Sequence, residues 1–168
     1  MEKIKTTFIG AGYRGMQLLK LLRHIPFFEI VAVADPEISD VGIPDIVCYN
    51  NGNDDYLNML DVHKPDLVFV TSPWQYHVKH AMQSVDRGCH VALEIKGGLY
   101  LNEYQPLIDL AEQRGCRIYP LENTLFLREV IGLAGGRGFH VRGLLLAFLL
   151  SHEGTEFQLS VFAVLAVV

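Results

Sequence analysis

The chain has 168 residues, half of them hydrophobic, enough to bury one sizeable core and hardly two. Its formal net charge of −5, with no Lys/Arg cluster interleaved with aromatics, argues against nucleic acid as a partner. Cys48, Cys89 and Cys116 are odd in number, widely spaced and form no C-x-x-C, which argues against both a disulfide framework and a structural zinc site.

Met1-Glu2-Lys3-Ile4-Lys5 leads straight into an apolar run and leaves no room for a secretory signal, so a reducing, cytoplasmic setting is expected. Residues Thr7 to Gly15 then read TFIGAGYRG, an apolar strand running into Gly10, Gly12 and Gly15 at G-x-G-x-x-G spacing. The first glycine permits a tight turn, the second lets backbone approach a pyrophosphate, and the third lets the next helix lie close on the strand. Met16, Leu18, Leu19, Leu21 and Leu22 supply that helix with apolar periodicity. Its unpaired N–H groups and positive dipole end can hold an anion without a basic side chain. A second strand, Ile30 to Ala34, ends on Asp35. A carboxylate there can accept from both ribose hydroxyls of an adenosine and would repel a 2′-phosphate, so NAD is the expected cofactor rather than NADP. Tyr13 and Arg14 fill the variable positions between the glycines, and Arg14 is a candidate for touching the pyrophosphate.

Pro36 to Asn53 reads as loop around a brief third strand at Ile46-Val47-Cys48, and Asp54 to Asp61 as a helix stopped by His63-Lys64-Pro65-Asp66. Leu67-Val68-Phe69-Val70 is the continuous apolar run of a parallel strand buried on both faces. Thr71 or Ser72 is expected to cap the next helix, with Pro73 in its first turn, running to Arg87 and ending at Gly88. His90 to Leu93 is a fifth strand, and Leu101 to Arg114 a helix closed by Gly115, in which Pro106 implies a kink or a late start. Cys116 to Leu121 is a sixth strand. Strands and helices alternating in this way predict an α/β, Rossmann-type doubly wound parallel sheet with its ligand crevice outside the carboxyl ends of the strands.

The run Asp66-Leu-Val-Phe-Val-Thr-Ser-Pro-Trp-Gln-Tyr-His77, then Ala81, then Gly88-Cys-His-Val-Ala-Leu-Glu94, resembles the nucleotide-binding domain of the Gfo/Idh/MocA oxidoreductases over roughly Lys3 to Glu129. The resemblance implies that the loop of Thr71, Ser72 and Pro73, with Trp74 and His77, borders the cofactor, that Glu94 takes the place of the Glu in the family's E-K-P, and that Glu122 and Asn123 contribute at the nicotinamide end. It also implies NAD-dependent redox chemistry on a sugar, a cyclitol or a related polyol. The family's catalytic lysine directly follows the glutamate, whereas Ile95 stands there in this chain and Lys96 comes one residue later. A one-residue slip in an extended segment turns a side chain to the other face, so Lys96 can serve as the acid/base if Gly97 and Gly98 let the loop bulge. The missing E-K-P and the Thr-Ser-Pro-Trp-Gln-Tyr-His run also look like the branch that contains NAD-dependent glycoside hydrolases. A non-catalytic NAD-binding domain is a third reading of the displaced lysine.

Trp74 and Tyr76 can stack on nicotinamide or sugar, or pack as core. His77 is expected to close the crevice beside the cofactor and His80 to lie on a helix flank; their spacing of three suits a metal, but no third ligand accompanies them. The cysteines read as small buried hydrophobes.

Between Val130 and Val168 the formally charged residues are Arg137, Arg142, Glu153 and Glu156, while Gly143 to Leu150 and Phe157 to Val168 are strongly apolar. Each apolar stretch is well short of the roughly 18 to 20 residues that span a bilayer, so no membrane hairpin is expected. Residues 1–129 thus read as the nucleotide-binding domain and 130–168 as an atypical tail, expected to reflect a frame lost shortly after Glu129 by frameshift or a truncated gene model. The resemblance implies a second domain that would supply substrate contacts and a homo-oligomer interface.

Overall fold

The computed structural model describes residues 3–95 and 100–121. Along them, strand and helix alternate: Ile4–Ile9 (β1), Tyr13–Leu22 (α1), Phe28–Ala34 (β2), Val47–Tyr49 (β3), Asp55–His63 (α2), Leu67–Val70 (β4), His77–Asp86 (α3), His90–Leu93 (β5), Tyr104–Arg114 (α4) and Ile118–Pro120 (β6). Single 3₁₀ turns lie at Trp74–Tyr76 and Leu101–Glu103. The strands form one parallel sheet in the order β3-β2-β1-β4-β5-β6. The chain therefore builds outward from β1 to β3, crosses back beside β1 as β4, and builds outward again. The reversal between β1 and β4 leaves a crevice at their carboxyl ends, where α/β sheets of this order take ligands.

Burial on both faces explains the unbroken apolar runs: all four residues of β4 are buried. On one face Ile9, Ala34, Val70 and Leu93 join Tyr56, Met59 and Leu60 of α2, Val85 of α3 and Leu107 of α4 in one core. By strand alternation Phe8 and Phe69 project to the other face, where their rings stack at 4.8 Å. There α1 packs on β1 and β2 and buries Leu18, Leu19 and Leu22.

Several element ends differ from expectation. The second strand starts earlier, at Phe28, and the sixth is shorter. The second helix runs on to His63 and stops where Lys64 adopts a left-handed φ of 45°. Neither Thr71 nor Ser72 caps the helix after β4, because both hydroxyls are engaged elsewhere and the chain makes a 3₁₀ turn behind Pro73 before α3 begins at His77. Pro106 produces the late start rather than a kink: it is the third residue of α4, where its absent N–H would have had no partner within the helix. Of the cysteines, Cys89 is buried while Cys48 and Cys116 are only partly so. Lys96, Glu122, Asn123 and the tail from 130 lie outside the described residues. Among those described, no helix is long and apolar enough to cross a membrane.

Candidate functional site

At the end of β1 the chain turns through Gly10, whose φ of +96° suits glycine. A Cβ at Gly10 would lie 2.5 Å from Ser72 N, and one at Gly15 would overlap the Gly10 carbonyl and come within 2.7 Å of Thr71 Oγ1. These two glycines are therefore required by the closeness of β1, α1 and the loop after β4. Gly12 differs: nothing lies within 4 Å of its Cβ position, and it lines an open cavity of about 750 Å³. Gly12 is also the N-cap of α1, which has no side-chain cap and no acidic residue in its first turn. The leading N–H groups of the helix thus stand uncapped beside open space, an arrangement suited to a phosphate.

Asp35 is held by backbone on both oxygens. Oδ2 accepts from Ala11 N at 2.7 Å and Oδ1 from Glu37 N at 2.9 Å. Each oxygen keeps a lone pair for a further donor, and Asp35 lines the same cavity as Gly10 and Gly12. Anion-binding backbone and a diol-accepting carboxylate in one crevice fit the diphosphate and ribose of a dinucleotide.

The loop after β4 forms the opposite wall. Thr71 Oγ1 donates to the Gly10 carbonyl at 2.6 Å, tying the loop to the turn. Ser72 is gripped twice by α3: His77 Nε2 donates to its carbonyl at 2.6 Å, and His80 Nδ1 shares a hydrogen bond with its hydroxyl at 2.9 Å. Pro73, Trp74, Gln75 and Tyr76 line the cavity beyond. Trp74 and Tyr76 are 54% and 44% exposed, so neither is core, and Tyr13 stands 82% exposed at the same mouth.

The two histidines exchange their expected places. His77 is 0% exposed and does not line the cavity; its Nε2 instead holds the Ser72 carbonyl. His80, expected on a helix flank, does line it. Burial pushes His80 down to about 4, helped by the nearby Lys79 ammonium and His77, so the imidazole is neutral near pH 7. The spacing of three that suggested a metal instead lets both rings reach one residue. Sequence reasoning missed Tyr49 and Tyr56, which also line the cavity; their position at the end of β3 and the start of α2, beside a ligand crevice, was the available signal.

Arg14 lines the cavity, and its Nε donates to Glu94 Oε2 at 2.9 Å. Glu94, which directly follows β5, does not itself line the cavity: it holds Arg14, at the start of α1. The cavity is thus built by the turn after β1, the ends of β2 and β3, α2, and the connection from β4 into α3.

These features agree with comparisons to known proteins. The model of an oxidoreductase family with an NAD-binding Rossmann fold, Gfo/Idh/MocA, matches residues 4–121. A glycosyl hydrolase family 109 protein of Saccharopolyspora erythraea is 30% identical over 135 residues, 74% of this chain and 29% of that protein. One from Bacteroides fragilis is 27% identical over 136 residues, 75% of this chain and 29% of that protein. The chain therefore spans less than a third of the length of these curated relatives. Among solved structures, the WlbA (WbpB) dehydrogenase of Thermus thermophilus in complex with NAD and UDP-GlcNAcA has a TM-score of 0.69 at 21% identity, over 80% of this chain and 47% of that one. A dehydrogenase from Chromobacterium violaceum has a TM-score of 0.69 at 26% identity, over 81% and 40%. The chain belongs to the Gfo/Idh/MocA oxidoreductase family, and its residues 4–121 correspond to that family's NAD-binding Rossmann domain.

Proposed function

We propose that this chain provides the NAD site for hydride-transfer chemistry on a sugar, a cyclitol or a related polyol. The observation that carries the reading is the cradle itself: uncapped N–H groups of α1 beside Gly12, with Asp35 presented by two backbone N–H groups in the same crevice. NAD, when bound, supplies the hydride acceptor. Arg14, held by Glu94, keeps its remaining guanidinium N–H groups for the diphosphate, while Trp74 and Tyr13 flank the mouth of the site. In this reading Lys96 takes the proton of the substrate hydroxyl, and Asn123 belongs to the nicotinamide end. The test is a titration of the full chain with NAD and NADP, followed by incubation of the NAD-loaded protein with a panel of polyols and sugars. NAD binds more tightly and NADH absorbance rises with the right substrate; absence of NAD binding overturns the reading.

A second reading is supported by Ile95 standing where oxidoreductases of this family carry lysine, and by the family 109 relatives. Here a sugar is oxidised transiently, the aglycone is eliminated, and the hydride is returned. Release of aglycone with no net NADH distinguishes it from simple oxidation. Stable NAD binding with neither product favours a non-catalytic NAD-binding domain.

A further inference from the structure

The cavity that Asp35 lines is also lined by Tyr49, Tyr56, Tyr76 and His80. His80 is 7% exposed, and its ring centroid lies 4.4 Å from that of Tyr56 and 5.8 Å from that of Tyr76. Ser72 Oγ holds Nδ1. The other ring nitrogen, Nε2, has no partner among the described residues, although the ring lines the cavity. It is not sealed from solvent either: the buried side-chain atoms lacking a partner among those residues are Thr7 Oγ1 and Tyr56 Oη. A nine-tenths buried imidazole with one nitrogen fixed and the other unsatisfied in a cavity is arranged for a ligand rather than for the fold.

The ligand group that reaches it follows from the rest of the site. With the diphosphate on the N-terminus of α1 and the ribose diol on Asp35, the adenine base occupies the remaining volume. We propose that His80 reads this base, its Nε2 hydrogen-bonding the substituent at the purine six-position. The proposal rests on NAD binding in the orientation described above and adds a residue that selects the base.

Two observations define the contact. The ring is neutral near pH 7, and the neighbouring Lys79 is drawn to Asp54 at 2.9 Å, so the contact is a neutral hydrogen bond. Ser72 can donate to Nδ1 or accept from it, so Nε2 can face an amino group as acceptor or a carbonyl as donor. Adenine and hypoxanthine are therefore both accommodated, while a purine with only hydrogen at the six-position loses the bond.

The experiment is calorimetric binding of ADP and of purine riboside 5′-diphosphate to the full chain and to its His80→Phe variant, which keeps a ring beside Tyr56 and Tyr76. The wild type binds ADP about five- to tenfold more tightly than the unsubstituted purine diphosphate, the worth of one net hydrogen bond. His80→Phe binds the two diphosphates with equal affinity, losing the wild-type preference for ADP. A variant that binds both but keeps the wild-type preference for ADP overturns the proposal. Imidazole ¹⁵N spectra of the wild type answer the same question without any substitution: the His80 Nε2 resonance moves on saturation with ADP and stays in place with the unsubstituted purine. An Nε2 signal indifferent to ADP also overturns it. If the wild type binds neither diphosphate nor NAD, the dinucleotide reading fails instead.

Discussion

Asp35 Oδ2 accepts the Ala11 N–H at 2.7 Å, so the acid that follows β2 is hydrogen-bonded into the glycine turn that follows β1. The residue positioned to take a ribose diol therefore also braces the loop that would take the phosphates. Replacing it disturbs both halves of the adenosine diphosphate site together.

Asp35→Ala is accordingly expected to weaken NAD by about ten- to a hundredfold, since charged hydrogen bonds of this kind contribute about 1.5–3 kcal/mol. NADP should be affected less, because the carboxylate that repels a 2′-phosphate is gone. Paired titrations of the two dinucleotides check this, and an unchanged NAD/NADP ratio in the variant contradicts the role given to Asp35.

Two glycines of one motif should fail in different ways. Gly10→Ala puts a Cβ 2.5 Å from Ser72 N on a residue with φ +96°, which should cost about 2–5 kcal/mol of stability. Gly12→Ala meets no atom within 4 Å, so its unfolding midpoint should stay near that of the wild type. Its methyl group instead fills the space a diphosphate needs, and NAD affinity should fall by about tenfold or more. Denaturant melts with and without NAD separate the two effects; equal destabilisation by both substitutions would refute the distinction.

The sheet and the turn were legible in the sequence because each depends on local rules. Four consecutive apolar residues in β4, a glycine triplet after β1 and an acid after β2 each dictate their own geometry. The roles of His77 and His80 were not legible. Both lie on one helix three residues apart, and which ring faces the cavity depends on how Ser72 is placed by its contact with Gly10, a relation spanning more than sixty positions of sequence. The motif alone makes Glu94 the counterpart of the Glu in E-K-P, whereas the structure gives it Arg14 as a partner, eighty residues earlier. Tyr49 at the end of β3 and Tyr56 in the first turn of α2 belong to no motif, and only their place beside the crevice marks them.

Cys89 offers a probe of opening at the sheet. It is 1% exposed, and burial pushes its thiol up to about 12, so neither access nor thiolate is available in the folded state. With a disulfide reagent under native conditions, Cys48 and Cys116, both partly exposed, should react ahead of it. Cys89 should react at a rate set by opening of the fold, and saturating NAD should slow it. Mass mapping of the labelled peptides decides the order; early modification of Cys89 would show that β5 is far less protected than the packing implies.

Buried His80 should also make stability fall on acidification in a defined window. Its folded-state value, about 4, lies below the 6.5 of an unperturbed histidine, chiefly through burial, with the Lys79 and His77 charges adding and Asp54 opposing. Between those two values the unfolded chain binds a proton that the folded chain refuses, so unfolding becomes easier as pH falls. The contribution is complete above pH 6.5 and lost progressively towards pH 4, amounting to about 3 kcal/mol. His63 and His90, also lowered by burial, add in the same direction. Asp55, lowered by its hydrogen bond from Asn58, acts separately, below the ordinary carboxylate value of 3.8. Urea melts at half-unit steps from pH 7.5 to 4.5 should show this slope, and His80→Gln should flatten part of it while leaving the remainder to His63 and His90. A variant whose stability falls as steeply as the wild type's would mean that His80 is not held neutral by the fold, and the neutral hydrogen bond inferred for its Nε2 would fail with it.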